Sequence, residues 1–240
     1  MTSQPVGLSE DLAPTQVMRA TVAQHDIAVW RSVSGVISAW HNRCPHRGMR
    51  LSHGFVRGES LACAYHGWHF NCEGYCHYIP AHPELTPPKT VQPVIYSVAE
   101  QGGLIWVDPQ EAAQPVTLPE DTTAVRSLTM ACDVKTVLRS LSTVPFVTVP
   151  FATRPSATKP SGPGSVTALV STLCDSPMIV SINAADLSDG VIIAFQQSQG
   201  NRLKAHVLAH KSISIDDRIA VSRWLESVRR QAEASSSATP

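Results

Sequence analysis

The segments that decide how this chain folds are Cys44-Pro45-His46-Arg47-Gly48 and Cys63-Ala64-Tyr65-His66-Gly67-Trp68. Each contributes one thiol and one imidazole, spaced C-x-H in the first segment and C-x-x-H in the second. Two thiolates and two imidazoles on tight loops suit a [2Fe–2S] cluster in which two Cys hold one iron and two His hold the other. The candidate ligands are Cys44, His46, Cys63 and His66.

Zinc is the competing interpretation, because two Cys and two His also form a tetrahedral zinc site. Zinc fingers, however, pair like with like, as C-x₂₋₄-C and H-x₃₋₅-H. Here each segment mixes one Cys with one His. The mixed pairs favour the iron–sulfur interpretation, which predicts a reduction potential above that of an all-Cys cluster.

The two segments resemble the Rieske domain of the non-haem iron, aromatic-ring-hydroxylating oxygenase family, alpha-subunit type. The resemblance extends from about Val17 to the stretch 102–107, Gly-Gly-Leu-Ile-Trp-Val, which is similar to that domain's closing strand. The glycine of each segment permits positive φ angles, so that backbone N–H groups can turn toward the cluster sulfurs. Rieske proteins of respiratory complexes carry an extra disulfide-forming Cys in each loop. Gly48 and Tyr65 occupy those positions here, which favours the oxygenase or ferredoxin branch.

Bulk properties exclude some classes of partner. Lys+Arg and Asp+Glu balance at 19 each, so charge gives no argument for nucleic acid or an anionic membrane. No window approaches about eighteen consecutive apolar residues, and the N-terminus lacks a basic start before an apolar run, so we expect neither a membrane span nor a signal peptide. Four cysteines outside the candidate site form no secreted disulfide pattern, which favours a reducing, cytoplasmic location. They are Cys72, Cys76, Cys132 and Cys174.

The chain is long enough for two small domains of a β-rich α+β fold. A Rieske antiparallel β domain is followed, according to the resemblance, by a truncated helix-grip domain, an antiparallel sheet with a C-terminal helix. The predicted segments are an N-terminal arm at 1–15, the Rieske domain at 16–108, a proline-containing linker at 109–124, the helix-grip-like domain at 125–231 and a disordered tail at 232–240.

Periodicity and turn residues predict the individual elements. In the first half, alternation and β-branched residues predict strands at 18–22, 27–31, 36–40 and 61–63. In the second half, we expect a short helix at 134–141, strands at 165–170, 178–183, 191–196 and 202–214, and a final helix beginning near Asp216 or Asp217. Gly200-Asn201 predicts a hairpin turn before the last strand.

In the family that this chain resembles, the second domain binds mononuclear Fe(II) through two His and one carboxylate. The near part of that motif reads roughly Glu-Asn-x-x-Asp-x-x-His-x-x-x-x-His, and residues 134–141 resemble the stretch that leads into it. In this register no residue of the chain can replace the imidazoles or the carboxylate, so we expect the mononuclear Fe(II) to be absent. The residues at the Glu, Asn, Asp and two His positions are Arg139, Ser140, Thr143, Phe146 and Phe151.

Other histidines offer weaker metal sites. His206 and His210 are four residues apart, which on a helix would place both on one face. A strand is favoured there, where four residues span about 13 Å, too far to share one ion. We therefore expect both on a sheet surface. Five more histidines lie near the two segments and are expected to be solvated or close to the cluster, namely His41, His53, His69, His77 and His82.

These features favour a Rieske [2Fe–2S] oxidoreductase that serves as an electron-transfer or accessory component, with a reductase or oxygenase subunit as electron partner. His46 and His66 are the expected points at which electrons arrive and leave. One alternative is a complete mono- or dioxygenase with unusual iron ligands. Another is a small-molecule-binding cyclase or isomerase with a structural cluster and a cavity lined by Phe146, Phe151 and Trp224. The resemblance also allows a homo-oligomer, a trimer.

Overall fold

A computed structural model of the chain describes residues 3–146, 169–172, 178–183, 190–198 and 200–237. The chain divides into two units, Met1–Thr117 and Leu118–Pro240. Within the described residues, no helix has the length and apolar character needed to cross a bilayer.

The first unit is built from ten antiparallel strands in two sheets. One sheet has six strands in the order β1-β10-β9-β4-β3-β2, and the other has four in the order β5-β6-β7-β8. The strands are β1 Gln4–Leu8, β2 Val17–Val22, β3 His25–Arg31, β4 Ile37–His41, β5 Phe55–Arg57, β6 Ser60–Ala62, β7 His69–Asn71, β8 Cys76–Tyr78, β9 Ile95–Gln101 and β10 Leu104–Asp108. The strands predicted at 18–22, 27–31, 36–40 and 61–63 correspond to β2, β3, β4 and β6.

Strand β3 separates two hydrophobic cores. Because successive side chains of a strand point to opposite faces, Ile27 and Val29 pack into one core, while Ala28 and Trp30 pack into the other. All four side chains are fully buried. In β4, Trp40 lies opposite Ala28 and joins the same core as Trp30. That second core supports the two Cys-His segments.

The prediction of a loose N-terminal arm at 1–15 is wrong. Residues Gln4–Leu8 form β1, an edge strand paired with β10, and Val6 packs into a hydrophobic core. Pro5 is tolerated because a strand at the edge of a sheet need not donate on its outer side. The register is irregular between Pro5 and Gly7, which weakens the alternation that would have revealed a strand.

In its described residues, the second unit has a five-stranded antiparallel sheet and two helices. The strand order is β11-β15-β14-β13-β12. The elements are β11 Thr122–Met130, α1 Val134–Thr143, β12 Leu169–Thr172, β13 Ile179–Asn183, β14 Val191–Ser198, β15 Arg202–His210 and α2 Ile215–Ser237. Alternate apolar side chains of the sheet form one core with α1 and α2.

Both helices begin where the sequence supplies a capping side chain. The Asp133 carboxylate accepts a hydrogen bond from the Thr136 amide at 2.8 Å, which starts α1. The Ser214 hydroxyl accepts from the Asp217 amide at 3.0 Å, close to the predicted start of α2. Tight turns join β14 to β15, as Gly200-Asn201 predicts.

Two predicted boundaries need correction. The linker at 109–124 ends early, because β11 begins at Thr122 and pairs with His210 of β15. The tail at 232–240 is helical as far as Ser237, with Ala232 fully buried. An ion pair between Arg229 and Glu233 at 2.8 Å stabilises this last part of α2. The prediction failed because the residues around the buried Ala232 are mostly small and polar, a composition typical of a disordered tail.

Candidate metal centre

The two Cys-His segments fold into loops with the same backbone hydrogen bonds. In the first loop (44–49), the Cys44 amide donates to the Met49 carbonyl and the Gly48 amide donates to the Cys44 carbonyl, both at 2.8 Å. The residues at the same positions of the second loop (63–68) make both bonds at 2.9 Å. Gly48 and Gly67 have φ angles of 70° and 68°. The two loops are therefore copies of one turn, differing in whether His follows Cys by two or by three residues.

Backbone amides converge on each sulfur. The Cys44 sulfur faces the amides of His46 and Arg47, and the Cys63 sulfur faces the two amides at the equivalent positions. Such successive N–H groups form a concave site that favours negative charge. A hydrogen bond between the two thiol groups raises the pKa of Cys44 and lowers that of Cys63, which places the two sulfurs side by side.

The thiols lie inside and the imidazoles outside. Cys44 is 4% and Cys63 is 3% exposed, whereas His46 is half-buried and His66 is exposed. The two imidazole rings lie with centroids 4.7 Å apart. Burial, His66 and the Arg47 guanidinium lower the pKa of His46, in that order of importance. Two paired sulfurs beneath two neighbouring imidazoles, with amides aimed at the sulfurs, form a donor set that fits a [2Fe–2S] cluster with mixed ligands.

The two imidazoles have different aromatic neighbours. The Trp68 ring stacks on His46 with centroids 4.1 Å apart and an angle of 7° between the planes. His66 contacts the Tyr65 ring, whose centroid is 3.8 Å away and whose side chain is 59% exposed. Trp68 therefore shields one imidazole from solvent, while His66 remains on the surface.

Asn42 anchors the first loop, a role that the sequence analysis did not identify. Its buried side chain accepts a hydrogen bond from the Ser52 amide at 2.7 Å and donates to Ser52 Oγ at 2.9 Å and to Asp26 Oδ1 at 3.0 Å. The side-chain amide of Asn42 thus links the start of the first loop to Ser52, which follows the loop. An Asn two residues before a candidate ligand is the signal that could have indicated this, since Asn side chains commonly stabilise turns.

A hydrophobic core lies directly under both loops. Cys44 and Cys63 belong to the same cluster of buried side chains as Trp40, Phe70 and Leu51. The Trp40 ring meets Phe70 edge to face with centroids 6.4 Å apart, an arrangement that favours aromatic packing. The position of both sulfurs therefore depends on the packing of this core.

Replacement of Gly67 by Ala tests how tightly the second loop is packed. A Cβ at Gly67 would lie 2.9 Å from Pro80 Cγ, and the φ angle of 68° is costly for any L side chain. Gly58 has a φ angle of 58° but no atom within 4 Å of the added Cβ, which makes Gly58→Ala a matched control.

We expect Gly58→Ala to lose about 1 kcal/mol of unfolding free energy from the backbone alone. Gly67→Ala should lose roughly 1–3 kcal/mol more because of the clash, together with part of the bound iron. Urea denaturation followed by circular dichroism measures the difference. Equal losses in the two variants would contradict the close packing.

The other predicted residues of the first unit are placed around the loops. His69 is half-buried and meets the His77 and Tyr78 rings edge to face, while His53 and His82 are exposed. Burial lowers the pKa of His69, as do His77 and Arg57. His41 is half-buried at the end of β4. Cys72 and Cys76 are free thiols on either side of the β7–β8 turn. Cys132 is a buried free thiol in the second unit, and Cys174 lies outside the described residues.

The positions of the mononuclear iron motif lie on and after α1. Ser140 is buried and its hydroxyl donates to the Thr136 carbonyl at 3.0 Å, whereas Arg139 and Thr143 are exposed. Phe146 is buried and meets Trp224 edge to face at 5.6 Å. These two aromatic rings, proposed above as cavity lining, pack in the core of the second unit. Phe151 lies outside the described residues.

His206 and His210 lie on β15, which confirms the strand. His210 Nδ1 and Ser212 Oγ are hydrogen-bonded at 2.7 Å, and His206 Nδ1 and Ser127 Oγ at 2.9 Å. The expectation that both lie on a sheet surface is wrong for His206, which is 2% exposed. Burial, with Lys204 nearby, lowers the pKa of His206 to about 4, so this imidazole is neutral at pH 7.

The chain is similar to a known domain family and to several known proteins. The model of the Rieske [2Fe-2S] domain matches residues 2–93. The oxidoreductase NdmD of Pseudomonas putida is 37% identical over 139 residues, covering 57% of this chain and 23% of that protein. The 4beta-methylsterol monooxygenase of Methylococcus capsulatus is 44% identical over 106 residues, covering 42% of this chain and 28% of that protein. The solved structure of Pseudomonas putida CBB5 NdmA with caffeine has a TM-score of 0.71 at 17% identity, covering 99% of this chain and 82% of that chain.

The chain spans less than a third of the length of these two curated relatives. The likeness to NdmA concerns the fold, and it confirms a Rieske antiparallel β domain followed by an antiparallel sheet with a C-terminal helix. The matched residues 2–93 contain both Cys-His loops. This chain therefore carries a Rieske [2Fe-2S] domain, and it is similar in sequence to an oxidoreductase and to a monooxygenase.

Proposed function

We propose that Cys44 and Cys63 hold one iron of the [2Fe–2S] cluster and that His46 and His66 hold the other. A cluster of this kind accepts and donates one electron at a potential above that of all-Cys clusters. The side-by-side arrangement of the two loops carries this proposal, because it brings both sulfurs together and sets both imidazoles beyond them. The backbone N–H groups directed at the sulfurs lower the charge density on them and favour the reduced state of the cluster.

The role that we infer is electron transfer, as an accessory component without its own mononuclear iron. The exposure of His66 supports the first part, since electrons reach a partner through the ligand nearest the surface. The residues in the iron-motif register support the second part, because an arginine, hydroxyls and phenyl rings cannot act as the required imidazoles and carboxylate. The partner is a reductase or an oxygenase subunit.

Iron analysis of anaerobically purified protein tests this role. We expect about two irons and two sulfides per chain, little zinc, and a Rieske-type electron paramagnetic resonance spectrum after reduction with dithionite. Reoxidation by O₂ should yield no hydroxylated product. Stoichiometric zinc without sulfide would overturn the ligand assignment, and about three irons would overturn the accessory role.

A complete oxygenase is the second candidate, favoured by the extent of the fold match to NdmA. Its iron ligands would come from positions other than the register above. The same iron count separates the two functions, since a third iron with O₂-dependent product is expected only of the oxygenase. Assembly into a trimer and a cytoplasmic location stay predictions, which gel filtration and fractionation of cells test.

A further inference from the structure

The exposed face of the two loops carries positive charge, and neither loop contains an acidic residue. From Ile27 to Gly58 the chain contains five arginines and no Asp or Glu, and no acid follows between Ser60 and Cys72. Two of these arginines border the first loop. Arg43 Nη1 donates to the Gly48 carbonyl at 3.5 Å, and Arg47 is exposed and directly follows His46 in the loop. We call Arg43 and Arg47 the basic rim.

The other arginines in this stretch are partly neutralised or lie elsewhere. Arg31 is paired with Glu100 at 2.5 Å. Arg50 lies 3.8 Å from the Asp26 carboxylate, which also pairs with Arg19. The guanidinium of Arg57 lies over the exposed Phe55 ring. No ion pair is found for the side chains of the basic rim among residues 3–117, so its charge faces solvent.

Apolar groups occupy the middle of the same face. Pro45, Ala64 and Tyr65 are exposed, and Tyr65 contacts the exposed His66 ring. An exposed aromatic group beside a redox ligand, bordered by guanidinium groups, matches the anatomy of a small transient interface, with a less polar centre and a charged edge. Arginine and tyrosine are also among the residues enriched at the energetic hot spots of protein interfaces.

We infer that this face docks an acidic electron-transfer protein, whose carboxylates meet Arg43 and Arg47 while its redox centre approaches His66. The inference rests on the proposed function and specifies the partner's chemistry. Complementary charge would raise the rate of encounter and orient the partner, and it would do so less at high salt. The balanced net charge of the whole chain makes this local patch, rather than overall charge, the source of the attraction.

Two measurements on the holoprotein test the basic rim. The first is the binding of a fluorescein-labelled polyglutamate peptide, followed by fluorescence anisotropy. The second is oxidation of the dithionite-reduced protein by trianionic ferricyanide or by tricationic hexaammineruthenium(III). In each oxidation one electron leaves the reduced cluster, and ferricyanide becomes ferrocyanide or the ruthenium complex becomes divalent.

The variants are Arg47→Gln and the double variant Arg43→Gln/Arg47→Gln, with Arg223→Gln as matched control. Arg223 is an exposed arginine of α2, so its replacement removes the same charge from the other unit. Arg47→Gln alone keeps the hydrogen bond from Arg43 to the loop. An unchanged paramagnetic resonance spectrum shows that the loop is intact.

We expect Arg47→Gln to weaken peptide binding and slow oxidation by ferricyanide about threefold, and the double variant about tenfold. Oxidation by the ruthenium complex should speed up or stay constant. These differences should vanish on going from about 0.01 M to about 1 M salt, where the Debye length falls from about 30 Å to about 3 Å. Arg223→Gln should match the wild type.

Equal effects of Arg47→Gln and Arg223→Gln, or rates independent of the oxidant's charge, would overturn the docking inference. So would Arg47-dependent binding to phosphatidylserine vesicles without binding to polyglutamate, because the rim would then bind membranes. Failure of the proposed function has a different signature, since a protein without a reducible cluster gives no oxidation signal. The anisotropy measurement still reports on the rim in that case.

Discussion

His66→Cys should lower the reduction potential of the cluster by on the order of 100 mV or more, while iron remains bound. The reason is that neutral imidazole ligands raise the potential of Rieske clusters, and all-Cys clusters lie several hundred millivolts lower. A thiolate adds negative charge to one iron and disfavours the added electron. Because His66 is exposed, the smaller Cys side chain fits without disturbing the core. Spectroelectrochemical titration with visible absorption gives the potential.

His69→Cys provides the control. It also replaces a histidine next to the second loop, but His69 begins β7 and contacts His77 and Tyr78. We expect its potential to stay within a few tens of millivolts of the wild type, since the cluster keeps all four ligands. If the two variants shift the potential equally, His66 is not a ligand and the assignment of the second iron is wrong.

Trp40→Ala should cost about 3–5 kcal/mol of unfolding free energy, the range for removing a large buried aromatic side chain. Trp40 is fully buried, meets Trp30 edge to face at 5.0 Å, and belongs to the core that holds both sulfurs. The cavity left behind would loosen the base of the first loop, so iron content should fall as well. Urea denaturation, followed by circular dichroism and by visible absorption, measures both effects.

Val33→Ala is the matched comparison for this core. Val33 lies on the β3–β4 turn and is 56% exposed, so its truncation should change stability by less than about 0.5 kcal/mol. Trp40→Phe keeps most of the aromatic volume and should lose less than Trp40→Ala. A loss for Trp40→Ala as small as that for Val33→Ala would show that the loops do not depend on this core.

Features that depend on neighbouring residues were predictable from the sequence. The candidate ligands are encoded within two short segments, and strands such as β3 and β4 follow from local alternation. Helix α1 begins beside Asp133, a capping residue visible in the sequence. Turns with glycine, such as the one at Gly74, have the same local origin.

Features that depend on partners distant in the chain were not predictable. Strand β1 exists because it pairs with β10, about a hundred residues later, and its Pro5 and Gly7 have low intrinsic strand propensity. The stacking of Trp68 on His46 requires the two loops to meet, which no single segment encodes. The environment of His206 likewise includes a residue distant in the chain, because its ring is hydrogen-bonded to Ser127 of β11.

Under the proposed assignment, the division of ligands between the two loops makes the cofactor a cross-link between them. Each loop supplies one thiol and one imidazole, so under the proposed assignment each iron joins the first loop to the second. Neither loop alone can complete the coordination of either iron. As long as the cluster stays bound, it also closes the segment from Cys44 to Cys63 into a ring in the unfolded chain. Such closure removes conformational freedom from the unfolded state, as a disulfide does. Loss of iron should therefore release both loops at once, and iron content should report the folding of the whole first unit.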